Sequence, residues 1–540
     1  MKIHSPFSAV VFAATLGTIS CVAADLSGAV TTNTTWAAAK SPYLLTGSVT
    51  VSNGVTLTIE AGTTVFLGTN VNLIIDRGGR MLAEGTAAAP IRFTRPPTAT
   101  ASWGNIALRG GPSSPETRIA YAHIEGNRST AIQSTDGTVF LSHLTFGTTD
   151  RPYLMLDRSS FLVQDCVFPS VTARFEMIHA DGGIKAGGRA LFLRNFFGMP
   201  RAGYTDVIDF TGGNRPGPIV EFINNVFVGA TDDILDFDGT DAWIEGNVFL
   251  HAHRNGSPNS SSAVSGGTRN GLSSYFTVIG NIFYDVDQAA TAKEGNFYTL
   301  INNTIVHQTR VGGVDSDAAV VNFADPGARE GAGMYLEGNI IYDAEKLARN
   351  LKAAQVTFTN NLMPFTWSGP GGGNSEADPL LKYLPQLSET TNITSWAGAQ
   401  VVRDWFSLKP GSPARGTGPN RRDRGGVRPL GVSISGEPTG TTDQSAATLV
   451  VGVNRKGSGI PERGFPNGSG YTHYKWRLDG GPWSAETQID TPIALANLSN
   501  GQHSVEAVGK RDSGTYQNDP ALGPDAVVTR SRTWTVRTKE

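Results

Sequence analysis

The chain writes one unit twice in succession, TDVIDFTGGNRPGPIVEFINNVF from Thr205 and TDDILDFDGTDAWIEGNVF from Thr231. Each copy reads strand, Gly-rich turn, strand, Asn, strand, and aligning Ile208 with Leu235 also aligns Asn225 with Asn247. Self-similarity at a period of a few tens of residues marks a stacked architecture, in which each unit buries its apolar face on its neighbours. A solenoid of short strands is the expectation, and its 540 residues then need fewer domains than length alone implies.

One column carries the repeat along the chain: His123, His143, Asp165, Asn195, Asn225, Asn247, Asn281, Asn303, Asn339 and Asn361, spaced 20 to 36 residues apart around a bare coil of 22. Three positions before its members from Asn195 onward stand Phe192, Phe222, Ile244, Val278, Leu300, Leu336 and Phe358. Two positions after stand Phe197, Phe227, Phe249, Phe283, Ile305, Ile341 and Met363. Inward-facing strand positions require such apolar columns. Asn suits the bend between them, because it tolerates left-handed backbone and its amide can bond the next Asn along the stack. The same slot assigns His123, His143 and Asp165 to turns rather than to catalysis. Cys166, with no activating base beside it, reads as a packed small residue.

Abundant Gly, 64 residues, and scarce helical periodicity fit an all-β chain of short strands and turns. A net charge of −3 without a long basic run argues against nucleic-acid binding. Lys2, the apolar Phe7–Ile19 and Val22-Ala23-Ala24 read as a secretory signal over residues 1–24, with Cys21 as a less favoured lipid-attachment site. Cleavage after Ala24 leaves one thiol and no internal disulfide, and no other segment is long and apolar enough to span a membrane. The mature chain is expected to be a secreted monomer.

The opening stretch VTLTIEAGTTV, followed by GTAAAPIRF, resembles the first turns of secreted bacterial right-handed parallel β-helix proteins of the pectate-lyase-like superfamily. The resemblance covers about 400 residues and implies a right-handed parallel β-helix over 25–430. Its closing stretch SPARGTGPNRRDRGG resembles the segment that leads out of the last coil in such proteins. Residues 431–540 alternate in short strands with turns at Asp479-Gly480 and Asn500-Gly501, similar to immunoglobulin or fibronectin-type modules, and predict a small β-sandwich. Trp476 and Trp483 read as packing within it.

Chemistry is expected on the strand before each Gly-rich turn. With Ile178, Ile208, Leu235, Val264, Ala290 and Val321 inward, one outward row reads His179, Asp209, Asp236, Ser265, Thr291 and Asn322. A second reads Asp181, Thr211, Asp238, Gly267, Lys293 and Ala324. Neighbouring coils lie about 4.8 Å apart, so Asp209 and Asp236 would repel by about 3 kcal/mol at an effective dielectric near 20. Such a pair calls for a cation, a basic partner or a shared proton. Calcium on Asp181, Asp209, Asp236 and Asp238 is one solution and a glycosidase-type acid/base pair another; a hydrated surface ladder is the third.

Insertions fall in the two turns flanking this strand and never in the Asn turn, which predicts a trench suited to a linear polymer. Its walls carry Arg201, Arg215, Arg254, Arg269, Arg310 and Arg329, able to pair with an acidic glycan. His251-x-His253 lacks a visible third ligand for a metal. The superfamily resemblance implies that this strand face holds an active site. A lyase there would use Lys293, or Arg310, as base, with calcium on the Asp cluster. Lys293 ahead of Asn302-Asn303-Thr304 is similar to alginate and chondroitin lyases. Asp209, Asp236 and Asp238 are similar to the Asp triad of polygalacturonases, whose Gly-His-Gly is replaced here by Ser265-Gly266-Gly267. A non-catalytic glycan-binding surface protein is the alternative from another class.

Overall fold

Every coil contributes three short strands, and each pairs in parallel with its counterpart one coil away. The computed structural model describes residues 25–538 apart from 255–260, 309–317, 326, 419–420, 427–430, 453–470 and 512. The signal segment and Arg310 therefore lie outside the described residues. Three sheets result. The first includes Ala190–Leu193, Val220–Ile223 and Ala242–Glu245. The second includes Phe196–Phe197, Val226–Phe227, Val248–Ala252 and Ile282–Val286. The third includes Ile178–Ala180, Ile208–Thr211, Leu235–Asp238, Ser262–Gly267 and Gln288–Thr291. The chain is a right-handed parallel β-helix followed by a small β-sandwich, whose longest pair is the antiparallel His473–Leu478 and Val505–Lys510.

The bend from the first sheet to the second is built on asparagine. Asn195, Asn225, Asn247, Asn281, Asn303, Asn339 and Asn361 have no exposed surface. Asn225 shows the pattern: its amide donates to Asn247 Oδ1 at 3.0 Å and to Phe192 O at 2.9 Å. Its own Oδ1 accepts the backbone N–H and the amide of Asn195, both at 2.9 Å. Each buried amide thus satisfies its donors and acceptors along the stack. The ladder continues to Asn374.

The left-handed residue is the one before each Asn: φ is 53° at Arg194, 57° at Asn224, 66° at Gly246 and 50° at Asn302. His143 and Asp165 take that place in their own coils, each with φ 53°, so their assignment to the Asn position is off by one residue. Cys166 occupies the ladder there: its N–H donates to Asn195 Oδ1 at 3.0 Å, and Leu144 N–H donates to its Sγ at 3.4 Å. Burial pushes its thiol up to about 12, in keeping with a packing role. His123 lies in a strand, paired with Thr145. These coils keep the bare spacing of 22 residues, but no Asn in them marks which residue holds the bend.

Inside, the expected columns form one core running the length of the stack. Phe168, Phe197, Phe227, Phe249 and Phe283 stack with ring centroids 4.7 to 5.1 Å apart and planes within 8°. Outside, two sheets are covered. Residues of the 381–408 segment, including Val402 and Phe406 on or beside the helix Gln400–Trp405, pack on Val226, Val248, Leu250, Ile282, Tyr284 and Val306 of the second sheet. The sandwich packs Val432 and Tyr471 against Ile219, Trp243 and Ile279 of the first, beside a buried Arg511–Glu245 pair at 2.9 Å. The third sheet faces out at its earlier strands, where His179, Asp209, Asp236 and Asp238 are part-exposed, and is covered at Ser262–Gly267, Gln288–Thr291 and Val321–Asn322.

Asn247→Ala should cost about 2–4 kcal/mol, because it strands the buried N–H and amide of Asn225. Phe249→Ala should cost about 3–5 kcal/mol for its cavity. Exposed Gln355→Ala, on a strand of the first sheet, should cost about 0.5 kcal/mol or less. Denaturant melts giving equal losses at the three positions would contradict the assigned faces.

Candidate functional site

The third-sheet register is the expected one: Ile178, Ile208, Leu235, Val264, Ala290 and Val321 pair in sequence, which brings Asp209 beside both His179 and Asp236 and sets Thr211 beside Asp238. His179 Nδ1 lies 3.3 Å from Asp209 Oδ2. That hydrogen bond and the Asp209 charge outweigh partial burial and hold the imidazole above its ordinary range. Ser265, Thr291 and Asn322, further along the row, are buried. Gly267 has a local reason: a Cβ there would meet Asp238 Oδ1 at 2.4 Å, so glycine makes room for that carboxylate.

Among the described residues, three carboxylates converge just before these strands begin. Asp206, Asp232 and Asp233 bring oxygens within 4.8 Å of one another. The chain bends at the buried Val207 and Ile234, which turns Asp206 and Asp233 outward although the strand alternation begins only at Ile208 and Leu235. The signal in sequence was the Asp that follows Thr in each copy of the repeat, doubled in the second. Asp206 Oδ1 accepts the Asp233 N–H at 2.9 Å and Asp233 Oδ1 the Ser262 N–H at 2.7 Å, a carboxylate counterpart of the Asn ladder.

Burial and mutual repulsion raise these groups together. Asp206 and Asp236 are pushed well above the carboxylate range, first by desolvation and then by their Asp neighbours. Asp232 is pushed up to about 7 by desolvation and Asp233. Asp238 is raised by burial and Asp209. Asp236 Oδ1 is buried with no hydrogen-bond partner among the described residues.

Lys293 supplies the basic partner. Its Nζ lies 3.0 Å from Asp325 Oδ2. Burial works against its charge, but Asp233, Asp325 and Asp236 outweigh it and hold the amine protonated far above its usual range. Arg254 pairs with Asp232 and lies 4.8 Å over the Tyr204 ring. Arg269 pairs with Asp181 at 2.7 Å, Arg329 donates to the Glu294 carbonyl at 3.0 Å, and Arg201 is exposed. Arg215 is held on Asp241 at 3.2 Å. Asn302-Asn303-Thr304 belongs to the buried ladder, where Asn303 donates to Asn339.

His251 and His253 find their partners one coil on, 34 residues away, the same step that separates Asn247 from Asn281. His251 Nδ1 is 2.5 Å from Asp285 Oδ2, and His253 lies 3.0 Å from Asp285 and 2.7 Å from Asp287. His307 continues the column to Asp343 at 2.6 Å. Asp287 Oδ2 also accepts the N–H groups of Arg254 and Ser261 at 3.2 Å, tying this ladder to the strand ends that hold Asp232. Against burial, Asp285 and Asp287 push His253 up to about 9, and His251 and His253 pull Asp285 far below its ordinary range. A raised His stabilises fully below its unfolded pKa of about 6.5 and loses that contribution as pH rises through about 9. A lowered Asp stabilises above about 4 and loses its contribution as pH falls through its folded value. Melting temperature should therefore drop as pH rises from about 6.5 to about 9, and His253→Gln should flatten that drop while lowering stability at pH 6. An unchanged alkaline slope in the variant would contradict the pairing.

A family model described as the pectate-lyase like beta helix domain matches residues 28–146. The crystal structure of pectate lyase Pel9A superposes with a TM-score of 0.36 and 13% identity, covering 70% of this chain and 88% of that one. No curated protein matches the sequence. No helix among the described residues is long and apolar enough to cross a membrane. The opening coils are thus similar to a pectate-lyase-like β-helix.

Proposed function

We propose that the protein is exported and, as a monomer, cleaves an acidic polysaccharide by β-elimination in the trench on the third sheet. The observation that carries this reading is the grouping of Asp232, Asp233, Asp236 and Asp238 near one half-buried ammonium, Lys293, with Asp206 and Asp209 beside those carboxylates. A site this acidic admits a polymer of uronates only together with a cation. The donor set fits one: all its ligands are carboxylate oxygens, as a hard cation such as calcium prefers, and Asp236 Oδ1 is an orphaned buried acceptor. Asp206, Asp232 and Asp233 would hold the ion, with Asp209, Asp236 and Asp238 beside them. Bound calcium supplies charge neutralisation of a uronate carboxylate, which acidifies the adjacent C–H.

Lys293 is protonated while Asp233 and Asp236 are anionic. Were those two charges neutralised, Asp325 alone would still hold the proton on Nζ, and the amine would be better able to take the proton next to the uronate carboxylate. His179, kept charged by Asp209, lies four coils from Lys293, about 19 Å by strand spacing, so it would pair with a carboxylate further along the polymer, and the leaving oxygen would take its proton from water. Exposed Arg201 and the guanidinium of Arg329 at the trench walls supply donors for further carboxylates. Export rests on the signal-like segment 1–24. One observation favours hydrolysis as a second reading: Asp232, pushed up to about 7, is poised to give up a proton near neutral pH beside ionisable partners.

Purified protein should release unsaturated, ultraviolet-absorbing product from polygalacturonate, alginate or chondroitin sulfate, and chelation should abolish release. Lys293→Ala should lower turnover by about a hundredfold or more with glycan affinity largely intact. New reducing ends without unsaturation would establish hydrolysis instead, and binding without product would establish a glycan-binding protein. Full turnover in Lys293→Ala would remove Lys293 as base and direct the test to Arg310.

Calcium should also raise the melting temperature in proportion to occupancy of the native site, and Asp232→Asn should weaken that response. No thermal response to calcium or to chelator would contradict the cation site.

A further inference from the structure

The outer face of the second sheet changes character along the stack. One outward column reads Thr64, Arg92, His123 and Thr145 in the early coils, then Val167, Phe196, Val226, Val248 and Ile282. The apolar part lies under the 381–408 segment. Where the column is polar, Thr64 and Arg92, with Phe66 and Thr94 from the next outward column, line a cavity of about 930 Å³. That volume is within the roughly 300–1,000 Å³ of small-molecule sites. The loop that continues from the strand Ile91–Thr94 brings Pro96 and Pro97 to the cavity, and the turns at Thr148 and Thr149 line it further along.

The lining has a definite chemistry. Phe66, Pro96 and Pro97 offer flat apolar faces, while threonine hydroxyls and Glu125 offer donors and acceptors. Glu125 holds Arg92 at 3.1 Å and His123 at 3.2 Å, yet the Arg92 side chain stays 54% exposed, which leaves guanidinium N–H groups free to meet a ligand. Apolar faces with hydroxyl-scale polar groups between them match a pyranose ring, and an exposed guanidinium matches its carboxylate. The cavity extends to Thr172. One coil further on stands Arg201, whose N–H bonds Val171 O at 2.9 Å, in the coil that carries Asp206.

We propose that this cavity is a second carbohydrate site, which holds a uronate-containing segment of the polymer whose neighbouring segment lies in the third-sheet trench. It rests on the reading of the trench as a polysaccharide site. Two substitutions test it without touching the acidic cluster: Phe66→Ala removes the stacking face and Thr94→Trp fills the cavity. Affinity for polygalacturonate, alginate and chondroitin sulfate is measured by calorimetry, and turnover is measured on each polymer and on its trisaccharide, too short to span both sites. The proposal expects affinity for the polymer that binds to fall about fivefold in Phe66→Ala and further in Thr94→Trp, with trisaccharide turnover unchanged. Wild-type polymer affinity in both variants would overturn it while leaving the trench reading standing if the polymer is still cleaved. Polymer binding that both variants weaken, with no product from any substrate, would uphold the cavity and overturn the cleavage reading. No binding of any of the three polymers by the wild type would overturn the cavity.

Discussion

The structure depends on the spacing between coils. Parallel pairing sets each coil about 4.8 Å from the next, and every like residue is stacked on its counterpart at that distance. Stacking is favourable for asparagine, whose amide donates and accepts in the same direction, and for phenyl rings, which meet face to face inside. It is unfavourable for carboxylates. The Asn turn and the Phe column are therefore where this repeat gains stability, and the Asp rows on the third sheet are where it spends some of it. A cost sustained in consecutive coils calls for a compensating ligand or proton, which is why the acidic rows point to function more strongly than any single residue does.

What covers the solenoid decides where the proposed polymer could lie. The sandwich closes the outer face of the first sheet through Trp243, Glu245 and Arg511, and the 381–408 segment closes much of the second. The sandwich is fixed to the β-helix by buried apolar and ionic contacts, so it behaves as part of the scaffold and not as a tethered module. The earlier strands of the third sheet and the early coils of the second stay accessible. Lys293 shows how this setting controls chemistry: the carboxylates that would bind a cation are the groups that keep its amine protonated. In the proposed mechanism, base strength and cation occupancy would be coupled through Asp233 and Asp236.

Much of this was legible in the sequence because a repeat converts spacing into contact. The Asn column from Asn195 onward, both apolar columns and the pairing of Asp209 with Asp236 follow from aligning copies. The failures were local. The column slipped by one residue at His143 and Asp165, where the coils keep the 22-residue spacing but no Asn marks the register. Asp206 and Asp233 were passed over because strict alternation does not foresee two consecutive buried residues at a bend, Val207-Ile208 and Ile234-Leu235. The partners of His251 and His253 were readable by adding the local coil length. The salt bridges of Arg254 to Asp232 and Arg269 to Asp181 were not, since they depend on how loops fold over the sheet.

A crystal structure of the protein grown with calcium and a uronic-acid oligosaccharide tests the central claim most directly. The predicted result is an ion bound by the oxygens of Asp206, Asp232 and Asp233, with sugar lying along the third sheet and a uronate carboxylate near Lys293. Sugar bound on the sandwich or elsewhere, with no ion among those carboxylates, would contradict it.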